Sequence, residues 1–321
     1  MRIATWNVNS IRTRADRVID FLRRADIDVL AMQEIKCRPE QFPMDKFEAA
    51  GYQVVAHGFN QWNGVAFASR YEMSEITRAF AGQPGFGVPV KGQEHCQLTG
   101  LNGLPQEARA LGVSVEGVRL WSLYVPNGRS LDNPHYAYKL EWLAKLREHT
   151  KIWLRENPAV PLALMGDFNI APWSQDMGDP SFVEGVSTHV SEAERAEFAR
   201  FTEFLTDVTR ADNPQGYTFW DYQQNKFDRN LGMRIDFILG SAEFSGAVTG
   251  SEIVRDERIL ESGSHPEIKP SDHVPVVCDL NLELLESAWG DDDADMPMIF
   301  SLCSGSLVLL CFMVFYCAFG L

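Results

Sequence analysis

YAYKLEWLAKLREHTKIWLRENPAVPLALMGDFN, from Tyr136 to Asn169, is the stretch on which the architecture turns. Leu140, Leu143, Leu146 and Trp153 form one helical stripe, which predicts a helix over Tyr136–Arg155. The apolar run Pro161–Met165 is too short for a second helix and reads as a buried strand that delivers Gly166–Asn169. A helix feeding a strand is the repeating unit of mixed α/β architecture. In an extended chain residues two apart share a face, so Asp167 and Asn169 point together while Phe168 turns to the core.

Outward from this unit the pattern repeats. Arg2–Asn7 reads as a strand leading into a helix near Thr13–Arg24, where Thr13 and Asp16 suit a capping box and Val18, Phe21, Leu22 and Ala25 form the inner face. Val29–Glu34 reads as a buried strand. Ser191 with Glu194 opens another helix with Phe198, Phe201 and Leu205 inward, and Arg234–Leu239 and Val274–Leu280 read as late strands. Gly82–Gly87, GQPGFG, lacks both the Lys-Ser/Thr of a P-loop and the GxGxxG spacing of a dinucleotide site, so it reads as a plain loop. There is no internal repeat of fixed period, which disfavours a solenoid or propeller.

Composition narrows the function classes. With 45% hydrophobic and 23% charged residues, the 321-residue chain is globular in character. Its net charge of −15 opposes bulk electrostatic capture of a polyanion. Contact with one would rest on local cations, and Lys36, Arg70, Arg109, Arg129, Lys226, Arg229, Arg234 and Lys269 lie near or between the polar motifs, where a basic rim is expected. The six cysteines form no CxxC pair and read as buried thiols. With an N-terminus, MRIATWNVNS, that lacks an apolar export segment, the expectation is a reducing, cytoplasmic setting without structural zinc.

Oxygen-bearing side chains recur where the strands end: Asn7 and Asn9 in WNVNS, Glu34 in QEIK, Asp167 and Asn169 in GDFN, Asp236 in RIDF and Asp272 in SDH. Alone, each reads as a turn former or a helix cap. Together they suit a hard divalent cation, which takes oxygen ligands. Nor does capping require the adjacent Asp272-His273 pair before the apolar VPVV run.

The motifs WNVNSIR (Trp6–Arg12), LAMQEIKC (Leu30–Cys37), WNGVAF (Trp62–Phe67), SLYVPNG (Ser122–Gly128), GDFNIAP (Gly166–Pro172), MRIDFIL (Met233–Leu239) and SDHVPV (Ser271–Val276) jointly resemble the exonuclease III and abasic-site endonuclease family of the endonuclease/exonuclease/phosphatase superfamily. The resemblance runs from Met1 to about Leu280. It implies an α/β, DNase I-like four-layer sandwich of two packed mixed β-sheets flanked by helices, with the site at one edge of the sheets. The implied activity is Mg²⁺-dependent hydrolysis of double-stranded DNA at 3′ ends and abasic sites by a monomer, with Mn²⁺ as a substitute and the choice between one ion and two left open.

Carried over by motif, the resemblance makes Glu34 the principal metal carboxylate, supported by Asn7 and Asp272, with Asp167, Asn169 and His273 at a second metal position. Asp167 would orient or deprotonate the attacking water and Asn169 hold that geometry. His273, paired with Asp236, would face the phosphate, while Tyr124 and Asn127 contact it or assist the leaving group. Lys36, Arg109 and Arg129 stand where the family approaches DNA phosphates, and Phe219, Trp220 and Met233 where it inserts apolar side chains near an abasic sugar. For Trp220, core packing of a YTFW strand is the competing reading.

The expected organisation is a catalytic domain over 1–281, an acidic linker over 282–295 and an apolar tail over 296–321. The tail carries no charged residue and is long enough to cross a bilayer as one helix, which makes a membrane anchor its face-value reading. Its acidic flank opposes that reading, and a fused extension or a packed hydrophobic tail stand beside it. Two rival functions are a membrane-attached phospholipid phosphodiesterase of the same superfamily and a catalytically silent DNA-binding protein.

Overall fold

The structure, a computed structural model, describes residues 1–94 and 96–285. Its strands are β1 (Arg2–Asn7), β2 (Val29–Gln33), β3 (Gln53–His57), β4 (Val65–Ser69), β5 (Ser74–Thr77), β6 (Ala110–Val115), β7 (Val118–Tyr124), β8 (Leu162–Asp167), β9 (Thr206–Asp207), β10 (Asp236–Gly240), β11 (Val248–Ile253) and β12 (Val276–Leu280). The helices are α1 (Ile11–Arg24), α2 (Met44–Ala49), α3 (Pro134–Glu156), α4 (Glu192–Phe201) and α5 (Ala242–Gly246).

Two six-stranded sheets form, in the orders β11-β12-β1-β2-β4-β3 and β5-β6-β7-β8-β10-β9. Each is mixed, with one parallel pair: β1–β2, connected through α1, and β7–β8, connected through α3. Strand periodicity sorts the side chains into layers. Ile3, Val29, Ala31 and Phe67 of the first sheet meet Leu111, Leu120, Met165 and Ile238 of the second in a buried middle layer. The alternate residues Ala4, Trp6, Leu30 and Met32 pack outward on Val18, Phe21 and Leu22 of α1. On the other side Trp121, Leu123, Leu164 and Phe237 pack on Trp142 and Leu146 of α3 and Phe198 of α4. This is the expected four-layer sandwich.

Local signals held unequally. At α4 the capping box forms: Ser191 Oγ accepts from the Glu194 amide at 3.3 Å and Glu194 Oε2 accepts from the Ser191 amide at 3.2 Å. The Thr13 box does not, because α1 begins earlier, at Ile11, and its N-cap Ser10 makes no side-chain cap. The loop leaving β2 does the capping instead, the amides of Ser10 and Ile11 donating to the carbonyls of Glu34 and Ile35 at 2.7 and 3.2 Å. The start of α1 is thereby bonded to the backbone that carries Glu34.

Of the expected linker, residues 286–295 lie outside the described residues, as does the whole apolar tail. Among the described residues no helix is long and apolar enough to cross a membrane. Cys37 and Cys278 are buried as expected and Cys96 is exposed, all three as free thiols.

Gly166 shows how tightly β8 is set against β7. Its φ is +145°, and a Cβ there would stand 2.0 Å from the Leu123 carbonyl oxygen. Gly166→Ala is therefore expected to destabilise the protein by roughly 1–3 kcal/mol, the range for overpacking, and to lower activity through the adjoining Asp167. Urea unfolding midpoints check this, and an unchanged midpoint refutes the constraint.

Candidate active site

The carboxyl ends of both parallel pairs converge at one end of the sandwich. Asn7 closes β1, Glu34 follows β2, Tyr124 closes β7 and Asp167 closes β8. Asp236 enters by antiparallel pairing of β10, where it is the register partner of Asp167. Asp272 and His273 arrive on the loop before β12, held by Ser271 Oγ donating to the Asn7 carbonyl at 2.7 Å and Trp6 Nε1 donating to the His273 carbonyl at 3.0 Å.

One amide joins the two sheets at this point. Asn7 Nδ2 donates to Glu34 Oε1 at 2.8 Å and to Asp167 Oδ2 at 3.0 Å. Its Oδ1 accepts from the Asn9 amide at 3.1 Å. Here Asn7 bridges carboxylates rather than offering a free oxygen. Asn9 Nδ2 donates to Asp272 Oδ1 at 2.9 Å, and Lys36 Nζ lies 2.6 Å from Asn9 Oδ1 and 2.9 Å from Glu34 Oε2. Asn127 Nδ2 donates to Asn169 Oδ1 at 3.1 Å, while the Asn169 amide donates to Asp167 Oδ1 at 2.8 Å. Asn9, Glu34, Lys36, Arg129, Asn169 and His189 all take positive φ. Such conformations cost about 1–3 kcal/mol each and persist only where the surroundings impose them.

Burial and charge then separate the acids. Burial, with Asp236 and Glu34 nearby, pushes Asp167 up to about 7 against the pull of His273. Burial opposes a charged His273, but the Asp236 and Asp167 carboxylates outweigh it and raise the imidazole to about 10. Its Nδ1 lies 2.8 Å from Asp236 Oδ2 and its Nε2 3.8 Å from Asp167 Oδ2. Burial also raises Glu34, yet Lys36 and the Asn7 hydrogen bond leave it below the ordinary carboxyl value. Tyr124 is driven well above a free phenol by burial and by Glu34, so it is a neutral donor. Ligand atoms of Glu34, Asp167 and His273 all lie within 4.8 Å of one another, a spacing that could hold a metal ion.

These groups line a cavity of about 380 Å³ together with Asn127, Phe219 and Met233. The Phe219 ring stands 4.9 Å from His273. Trp220 does not join them. It is fully buried, edge-on to Phe227 at 5.1 Å, so core packing replaces the expected insertion into DNA. Arg109 is also turned inward, donating to Glu107 Oε2 at 2.7 Å with its guanidinium 4.8 Å from the Tyr124 ring centre. It supports Tyr124 from below rather than meeting a phosphate.

The expected basic rim is thinned in the same way. Arg70 pairs with Asp26 and Asp28, Lys226 with Asp179, and the fully buried Arg234 with Asp207. Lys36 is partnered but partly open, and Arg129 is exposed.

His189, which no motif marked, also lines the cavity. Its Nδ1 faces the Asn169 carbonyl, which can only accept, so Nδ1 carries the proton and Nε2 is an acceptor. Burial, with Lys139 nearby, lowers it to about 4 and keeps it neutral. Its signal was a histidine two residues before the Ser191 cap, at a φ of +72° visible only in the fold.

Comparison with known proteins agrees with the architecture. A model described as the Endonuclease/Exonuclease/phosphatase family matches residues 4–273. Exodeoxyribonuclease III of Haemophilus influenzae is 29% identical over 286 residues, covering 86% of this chain and 98% of its own. A Neisseria 3′ phosphatase solved with a product DNA hairpin superposes with a TM-score of 0.75 at 33% identity, over 88% of this chain and 99% of that one. An AP endonuclease from Archaeoglobus fulgidus gives 0.70 at 30%, over 88% and 99%.

The raised Asp167 has a consequence in metal-free protein. A carboxyl lifted from 3.8 to about 7 contributes stability below pH 3.8 that is lost as pH rises through about 7. In EDTA, the Tm of Asp167→Asn relative to the wild type should rise steadily from pH 4 to pH 7, whatever offset its amide brings at pH 4. A Tm difference independent of pH would show that Asp167 is not held protonated by its surroundings.

Proposed function

We infer the activity from the premise that this chain belongs to the endonuclease/exonuclease/phosphatase family: it is a DNA-repair phosphodiesterase, cutting double-stranded DNA at 3′ ends and at abasic sites. The observation that carries the reading is the Asn7 junction, which sets Glu34 and Asp167 of two different sheets beside one histidine. The names of its relatives, an exodeoxyribonuclease III, a 3′ phosphatase and an AP endonuclease, support the substrate class.

The donor set fits a hard cation, since the carboxylate oxygens of Glu34 and Asp167 converge with no thiolate among them. Mg²⁺, or Mn²⁺ in its place, would be held by Glu34 with Asp272, and a second ion would fall to Asp167 and Asn169, taking His273 only if its imidazole gave up the Nε2 proton. When bound it supplies charge neutralisation at the phosphate and the departing 3′ oxygen. The remaining work falls to side chains.

Asp167, whose carboxyl burial and the neighbouring acids raise in the metal-free protein, is the group placed to accept the proton of the attacking water. Asn169 holds Asp167 through its backbone amide. His273, kept cationic by Asp236, donates from Nε2 to a phosphate oxygen and stabilises charge that builds in the transition state. Tyr124 and Asn127 donate to the phosphate or the leaving oxygen. Lys36 and Arg129 meet neighbouring phosphates. Phe219 and Met233 give an apolar wall for the sugar beside the scissile bond.

Purified protein with Mg²⁺ should degrade duplex DNA from 3′ ends and nick abasic duplex. Cleavage that continues in excess EDTA would refute the metal-dependent mechanism, and hydrolysis of a phospholipid headgroup without DNA cleavage would favour the lipid reading. Asp167→Asn should lower kcat by at least ~100-fold, as expected on losing a general base, while DNA binding by fluorescence anisotropy persists. Near wild-type turnover in that variant would remove Asp167 from the chemistry.

A further inference from the structure

Behind the cavity lies a fully buried ion pair to which the mechanism gives no task. Lys139 of α3 and Glu194 of α4 are both fully buried, with Lys139 Nζ bonded to Glu194 Oε1. An ammonium has three donors. The other two go to backbone carbonyls: Asn169 at 2.7 Å and Asn127 at 3.3 Å. Those carbonyls belong to the two residues whose side-chain amides meet at 3.1 Å in the cavity.

Glu194 is equally occupied. Its Oε1 also accepts from the His189 amide at 3.0 Å and lies 2.9 Å from Thr188 Oγ1, while Oε2 accepts from the Ser191 amide and hydroxyl. The pair therefore ties together the loop after β7, the loop after β8 and the turn entering α4. Removing two charges from water is costly, and apolar replacements of such pairs are often as stable. Stability alone is a weak account of it. What an apolar pair could not supply is donors aimed at two particular carbonyls.

We propose that Lys139 and Glu194 are positioning residues for phosphodiester hydrolysis, fixing Asn127 and Asn169, and through Asn169 the Asp167 carboxylate, at the distances the reaction needs. This rests on the reading of the site given above. Neither residue touches the substrate. Their contribution is expected in turnover rather than in affinity, because the amides they hold act on the reacting phosphate while the more distant DNA contacts stay in place.

The test is Lys139→Met combined with Glu194→Gln, which removes both charges together and leaves no buried ion alone. The expected result is a cooperatively folded protein whose kcat on 3′-recessed duplex falls about 10- to 100-fold while KM stays within about threefold. A folded double variant with kcat within about twofold of wild type overturns the proposal. Should that variant not fold, Glu194→Asp decides, since it keeps the ion pair and draws the ammonium away from the carbonyls. A lowered kcat with retained Tm supports positioning, and an unchanged kcat overturns it. If neither variant folds, the pair is structural and the proposal fails. Absence of DNA cleavage by the wild type would instead overturn the functional reading itself.

Discussion

Everything at the working end of this molecule depends on one amide nitrogen shared by two carboxylates. Glu34 belongs to the first sheet and Asp167 to the second, and Asn7 Nδ2 reaches both, at 2.8 and 3.0 Å. Like charges this close, at the edge of a packed interior, repel strongly. The amide alone does not offset that. Lys36 stands against Glu34, and His273, held by Asp236, stands against Asp167. The two acids thereby differ in character: Glu34 is held ionised, whereas Asp167 titrates near neutrality.

This constraint explains the way the surrounding backbone is built. The start of α1 borrows hydrogen bonds from the loop that carries Glu34, so helix and ligand loop are set together. Gly166 lets β8 approach β7 closely enough for Asp167 and Tyr124 to be register partners. Left-handed backbone collects in the same loops, at Asn9, Glu34, Lys36 and Asn169. Strain of this kind is retained where the packing over-determines it, which is the situation between two rigid sheets.

The net charge of −15 looks different once the pairs are visible. Arg109 and Arg234, expected at a basic rim, are instead buried beside Glu107 and Asp207. They serve the interior, Arg109 by lying against Tyr124. Trp220 and Phe219 are adjacent in the chain, and the family resemblance implied DNA contact for both. Outside any strand of the two sheets, Phe219 faces the cavity while Trp220 is fully buried in the core.

From the sequence alone, the α/β architecture, its main strands and the set of oxygen-bearing strand ends could be read, because periodicity and strand termination are local properties of the chain. The Ser191–Glu194 cap was legible for the same reason. The Thr13 cap failed because the donors at that helix start are satisfied by Glu34 and Ile35, more than twenty residues away. Which acid would titrate near neutrality, which arginines would turn inward, that His189 would line the cavity and that the Lys139–Glu194 pair would stand behind it were decided only by the tertiary structure. Those properties depend on desolvation and on distances between groups from separate elements, and both come into being only when the two sheets pack.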